Sequence, residues 1–358
     1  MERLQVAGYS MLPSNFFHPR VVWMPEISVI IVNWNGRQFL DDCLGAMRRQ
    51  TFRDFETIVV DNGSSDASAE YIRQQFPEVR LLVLGENLGF TGGNLAGYQI
   101  AGGELIVLLN NDTEAHPEWL EEIHAASQVY PNAGSFASKM MYYDARERIE
   151  NCGFDLGTCG ITMDLGRDEP DGPAWSTPRE VFGACGGAAA YRRSMLDDIG
   201  FLDPDFFAVY EDVDLSFRAQ LRGYACVFVP RALVFHRYRS TLGTRSPAQV
   251  FYSQRNIEFV YLKNMPKGLI LRSAVQRLTY EVGSAIHFFR LGQGGVFLRS
   301  KWHAMRQLPS LLRKRRDIQK GKVVDDRRML ELMKPAISMK WKKFARFWRQ
   351  SFETRVAS

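Results

Sequence analysis

Cysteine is scarce in this chain, and its spacing builds no metal site. Five cysteines (Cys43, Cys152, Cys159, Cys185 and Cys226) stand in 358 residues. The number is odd, and Cys152 and Cys159 lie too far apart for a zinc knuckle or a redox pair. They read as reduced thiols, which predicts a cytoplasmic protein. A secretory leader is missing too: residues 1–25 hold Arg3, His18 and Arg20 and no long apolar core. No uncharged apolar run reaches the roughly eighteen residues that a membrane span needs. The stretch 269–298 comes closest, and Arg272, Arg277, Glu281, His287 and Arg290 interrupt it. No Walker loop, nucleophile elbow or zinc signature occurs. The glycine turn Gly89–Gly93 lacks the G-x-G-x-x-G spacing and follows the third strand, not the first, which argues against NAD. The net charge of +5 is modest, and no nucleic-acid partner is expected.

What is present is a folded chain, 46% apolar and 24% charged. Its length suits one large domain with an extension, or two domains. Ile27–Val32 is a β-branched run, as in a strand covered on both faces. A helix over 39–49, a strand over 55–60 and a helix from Ser65 or Asp66 to Phe76 follow. A strand at 79–84, a glycine-rich turn at 87–94, a helix near 95–101 and a strand at 104–109 complete the alternation. This pattern predicts an α/β fold, with an open, mostly parallel sheet flanked by helices. Pro117 opens a further helix. Residues 131–180, rich in Gly, Pro and Asp, predict edge strands and loops around the site. The small run Gly183–Ala190 is either a close backbone approach to a ligand or a tightly packed strand. After Thr241 the pattern is helical. The expected division is an N-terminal extension (1–25), a catalytic domain (26–240) and a basic helical region (241–358).

Polar ligands end the apolar strands. Asn110 and Asp112 close the fourth strand two residues apart, so an extended chain aims both the same way. Asp112 can hold a divalent ion that bridges a diphosphate, and Asn110 can touch ribose or metal. Asp61 ends Ile58–Val60 and can accept hydrogen bonds from a pyrimidine base. His236 ends Ala232–Phe235; its imidazole suits manganese better than magnesium. Arg239 can clamp phosphate oxygens. Glu211, Asp212 and Asp214 crowd the start of a helix. Asp212 is the candidate general base, Glu211 holds the acceptor or orients the loop, and Asp214 caps the helix or pairs with Arg218.

In their order along the chain, five segments resemble a family-2 glycosyltransferase of the GT-A fold, close to the bacterial rhamnosyltransferase-like branch. They are Ser28–Asn35, Val59–Asp66, Glu86–Asn94, Leu109–Thr113 and Glu211–Asp214. The resemblance covers residues 26–240. It implies that Asp61 contacts the nucleobase and that Asn33, Asn35, Asn87, Gly92, Asn94, Asn110 and Asn111 line the donor. Asn110 with Asp112 would stand for the D-x-D metal element, Asp212 for the base, and His236 for a further metal ligand. Asn110 departs from the aspartate of many members and removes one ligand charge. The Q-x-x-R-W motif of processive synthases is absent, which implies one sugar per encounter. The implied reaction is inverting transfer of a sugar such as rhamnose. The donor would be dTDP- or UDP-linked, the cation Mn2+ or Mg2+, and the acceptor a lipid-linked or polymeric glycan.

Arg313–Arg316 and Lys340, Lys342, Lys343, Arg346 and Arg349 make the C-terminus basic, and Trp341, Phe344, Phe347 and Trp348 interleave the second group. Two readings stand: an anchor on an anionic membrane surface at its inner face, or a helix packed on the domain. The helices after 241 can also pair into a homo-oligomer. Two rival functions remain at this stage. A sugar-phosphate nucleotidyltransferase would place a basic glycine-rich loop after the first strand, where this chain has Asn33-Trp34-Asn35-Gly36. A non-catalytic glycan-binding module would not need the acidic cluster.

Overall fold

Residues Ile27–Asn33 (β1) are buried along almost their whole length, as their β-branched run requires. The computed structural model describes residues 24–237 and 246–334. The chain continues through α1 (Leu40–Arg48), β2 (Phe55–Asn62), α2 (Ser68–Gln75), β3 (Arg80–Leu84), α3 (Gly89–Tyr98) and β4 (Leu105–Asn110). Next come β5 (Thr113–Ala115), α4 (Trp119–Val129), β6 (Ala133–Tyr142), β7 (Ala145–Asn151), β8 (Phe154–Leu156), β9 (Thr162–Asp164), β10 (Arg179–Val181) and β11 (Ala188–Arg192). The last elements are α5 (Arg193–Ile199), α6 (Glu211–Leu221), β12 (Ala225–His236), α7 (Pro247–Asn264), α8 (Lys267–Arg290), α9 (Gly294–Arg306), α10 (Leu308–Lys320) and α11 (Asp326–Leu332).

The main sheet runs β10-β12-β6-β11-β4-β1-β2-β3. Strands β3, β2, β1 and β4 are mutually parallel, so their C-terminal ends share one edge. Side chains alternate across them. Ile27, Val29 and Ile31 pack with Leu40, Leu44 and Met47 of α1, while Ile30, Ile58 and Val60 face the other layer with Leu95 and Ala96 of α3. Gly97 lets α3 approach: a Cβ there would sit 2.6 Å from Cγ2 of Ile30.

Three expectations change. The glycine turn is itself the opening of α3, which starts at Gly89, not near Leu95. Helix α2 starts at Ser68 behind a left-handed Ala67, while Asp66 still accepts from the Ser68 N–H at 3.1 Å. The segment 131–180 is not all edge. Strand β6 lies between β11 and β12 and is buried over nearly its whole length. Its polar residues hid it: Ser138 Oγ accepts from Trp119 Nε1 at 2.9 Å, and Lys139 donates to Asp171 at 2.7 Å.

The C-terminal helices share a core with the sheet domain. Phe154, Phe182, Phe206, Val213 and Phe217 pack with Phe259, Val260 and Tyr261 of α7. No helix among the described residues is long and apolar enough to cross a membrane. All five cysteines are free thiols.

Candidate active site

Strand register builds the first part of the site. β1 and β2 pair Asn33 with Asp61, and β1 and β4 pair Val32 with Asn110. Asn33 Nδ2 donates to Asp61 Oδ2 and to Ser64 Oγ, both at 3.3 Å. Asn33 Oδ1 accepts from Asn111 Nδ2 at 2.7 Å. Asn35, held at φ +50°, accepts from the Ser65 N–H at 2.8 Å. Asn33, Asn35, Asp61 and Asn111 are thus one hydrogen-bonded cluster at the parallel edge. Asn62, which sequence reasoning missed, ties the next loop to it. Its Nδ2 donates to Asn87 Oδ1 and to the Gly89 carbonyl, each at 3.0 Å. Asn94 turns inward and donates to the Phe90 carbonyl at 2.9 Å. A side chain on Gly92 would strike Leu88. Asn87, Gly92 and Asn94 therefore shape the loop that edges the cluster.

The second part joins strands distant in sequence. β5 pairs with β12 so that Thr113 faces His236, next to Asp112. His236 Nε2 lies 3.2 Å from Asp112 Oδ1, and Asn110 Nδ2 is 3.4 Å from the same nitrogen. His236 Nδ1 meets Glu150 Oε2 at 2.7 Å. Burial disfavours the imidazolium, but the flanking Asp112 and Glu150 outweigh it and push the pKa up to about 10. Asp112 is buried, and the imidazole of His236 is the group its Oδ1 meets there. Among the described residues no group of three His, Cys, Asp or Glu is set to hold a metal. Asp112 and His236 stand close enough that the pair could hold a cation shared with substrate phosphates. Glu150 on the far nitrogen is the usual outer partner of such a histidine. Glu150 gave no sequence signal, being one of several acids in a charged stretch.

The third part is the start of α6. Val209 and Tyr210 turn the chain at φ +70° and +74°, and Asn256 Nδ2 holds their bend through the carbonyls of Ala208 and Val209 at 2.9 and 2.6 Å. Asp212 Oδ2 accepts from the Gly186 N–H at 2.9 Å and Oδ1 from the Val213 N–H at 2.8 Å. Burial raises the Asp212 pKa, and these N–H groups oppose it. Burial and the Asp212 charge push Glu211 up to about 8, and its Oε2 is buried without a partner. Asp214 turns away, pairing with Arg218 at 2.9 Å as its i+4 spacing predicts, and with Lys263 at 2.7 Å.

Gly186 and Gly187 join the parts. Gly186 donates to Asp212, and the Gly187 carbonyl accepts from the Asn110 N–H at 2.9 Å. A Cβ on Gly187 would stand 3.2 Å from the Asn110 amide. The packed-strand reading holds for part of the small run. Ala188–Ala190 is a packed strand, and Gly186–Gly187 is a thin bridge between Asp212 and the Asn110–Asp112–His236 group. Arg239 and the basic segment 340–349 lie outside the described residues.

The model of Glycosyl transferase family 2 matches residues 28–200, which includes Asn33, Asp61, Asn110 and Asp112. The protein is a glycosyltransferase, similar over those residues to family 2. This glycosyltransferase is 27% identical over 271 residues to the N-acetylglucosaminyl-diphospho-decaprenol L-rhamnosyltransferase of Mycobacterium tuberculosis, covering 68% of this chain and 85% of that one. It is 32% identical over 108 residues to the validoxylamine A glucosyltransferase of Streptomyces hygroscopicus, 29% of this chain and 26% of that one. Among solved structures, GalNAc-T7 with UDP, GalNAc and Mn2+ superposes with a TM-score of 0.51 at 16% identity, over 73% of this chain and 58% of that one. S. aureus TarS 1-349 in complex with UDP gives 0.51 at 17% identity, over 83% and 88%. The glycosyltransferase thus has a GT-A-like fold with a helical C-terminal extension, and its activity is transfer from a nucleotide sugar. The nucleotidyltransferase and binding-module readings give way to it.

Proposed function

We propose that this glycosyltransferase moves one sugar, rhamnose, from a dTDP- or UDP-linked donor to a hydroxyl of a lipid-linked saccharide, with inversion and with Mn2+ or Mg2+ bound. The work would take place at the inner face of the cell membrane. The observation that carries the reading is the bridge of Gly186 and Gly187. It links the half-buried carboxylate of Asp212 to Asn110, beside the Asp112–His236 pair. The name of the mycobacterial relative, matched along 85% of its length, supports the sugar and the lipid carrier.

Asp61 and Asn33 would seat the base, and Asp112 and His236 would hold the cation. When bound, that cation supplies Lewis-acid stabilisation of charge on the leaving phosphate. Asp212 takes the proton from the acceptor hydroxyl as that oxygen attacks the anomeric carbon from the face opposite the diphosphate. Glu211, protonated near neutrality by its burial, can donate a hydrogen bond to the acceptor. A retaining double displacement would need a nucleophilic carboxylate at the anomeric carbon, and Asp212 already serves as the base.

The test compares wild type with Asp212→Asn on nucleotide sugars, followed by nucleoside diphosphate release and donor binding. Transfer should fall about a thousandfold or more while donor affinity holds, because the base acts only as the proton moves. In the wild type the rate should climb as pH rises above the ordinary carboxylate range toward the raised values of the pair, since Asp212 works ionised. An Asp212→Asn enzyme with near wild-type turnover would remove Asp212 as the base.

A further inference from the structure

We propose that the outer face of α8 seats the protein on an anionic lipid bilayer, with the helix lying along the surface. Helix α8 buries a mixed polar face and exposes an apolar one. Leu269 and Ser273 turn inward, and Arg277 is buried by its ion pair with Glu258. Leu271, Val275, Leu278, Val282, Ile286 and Phe289 form the opposite stripe, and all are exposed, Leu271 and Val275 at 77% each. Spacings of four, three, four, four and three residues keep all six within a narrow arc. The stripe runs about 27 Å at 1.5 Å per residue. Few monomeric proteins leave so long an apolar row bare. Helix α9 carries a shorter row of the same kind, Leu298, Trp302 and Met305, with Trp302 at 61%.

Charge names the occupant. Arg272 and Arg290 flank the stripe and are exposed, as are Arg299 and Arg306 on α9. Residues 267–334 hold sixteen Lys and Arg against five Asp and Glu, in a chain whose net charge is only +5. The one acid of α8, Glu281, is spent inward on Arg277 and Lys301. An apolar row with arginine flanks and an exposed tryptophan matches the interface of an anionic membrane. A second copy fits less well. Antiparallel pairing of two stripes about a twofold axis would bring Arg272 of one chain beside Arg290 of the other, with no acid between them. The inference rests on the reading that the acceptor is lipid-linked, because a protein lying on the bilayer meets such an acceptor where it is anchored.

The full chain is sedimented with phosphatidylcholine vesicles, with and without phosphatidylglycerol, across a salt series. Val275→Gln combined with Leu278→Gln removes two exposed apolar side chains, keeps the charge and suits a helix. Partitioning onto the anionic vesicles should fall about tenfold or more. Arg272→Gln with Arg290→Gln should lose about fivefold per arginine on anionic vesicles and little on neutral ones. Donor hydrolysis in vesicle-free buffer should stay at the wild-type level in both variants. It is read separately, so failure of the transferase reading would show there and not in the sedimentation. Wild-type partitioning by the Val275/Leu278 variant would overturn the proposal. So would a wild type that self-associates in sedimentation velocity through this stripe and ignores vesicles.

Discussion

Glu150 occupies one imidazole nitrogen of His236 and leaves the other beside Asp112. A carboxylate in that place fixes the ring and makes the free nitrogen a better ligand once a cation displaces its proton. Glu150→Gln keeps the volume and removes the charge. Manganese affinity by isothermal titration should weaken about tenfold or more, while Asp212→Asn leaves it unchanged. Affinity within twofold of wild type would show that Glu150 does not tune the site. At this scale the strand-ending residues were legible because an apolar run that stops at Asp61, Asp112 or His236 marks a sheet edge. Glu150 was not, because its importance comes from β7 pairing with β6, a contact no local pattern reports.

Helix α7 holds the turn that opens α6 in place through buried charge. Lys263, at 1% exposure, reaches Asp203 at 2.5 Å and Asp214 at 2.7 Å, and Asn264 Nδ2 donates to Asp214 at 2.7 Å. Burial alone would raise both carboxyls; the nearby Lys263, with Arg218 at Asp214 and Lys314 at Asp203, brings both below the usual range. Lowered carboxylates contribute stability above their unfolded pKa and lose it as pH falls through the folded one. Lys263→Met leaves both acids buried with fewer partners and should lower unfolding free energy by about 3 kcal/mol, read by urea titration at neutral pH. A loss under about 1 kcal/mol would mean that Arg218 and Lys314 suffice. Strands β1, β2 and β4 were readable as continuous apolar runs. Strand β6 was hidden because Ser135, Ser138 and Lys139 sit inside it, and Ser138 and Lys139 find their partners, Trp119 and Asp171, outside the strand. The α3 start was hidden because Gly89, Gly92 and Gly93 mimic a loop, while their close contacts with Phe207, Leu88 and Val32 are what demand them.

At the scale of the whole molecule, the parallel half of the sheet carries the candidate donor-binding residues on one edge. The mixed half returns β12 to bring His236 beside Asp112. Helix α6 then delivers Asp212 across the Gly186–Gly187 bridge. The order of motifs foretold the parallel half. It did not foretell that β5 would pair with β12, which is the step that joins the two candidate metal ligands. The central claim is that one cation, held by Asp112 and His236 and shared with a diphosphate, lies in the same cleft as Asp212. Crystals grown with Mn2+ and UDP or dTDP, measured at the manganese absorption edge, test this directly. The account predicts one anomalous peak in contact with Asp112, His236 and the diphosphate, with the Asp212 carboxylate facing the side where the sugar would sit. Manganese bound elsewhere, or a diphosphate seated away from that pair, would contradict it.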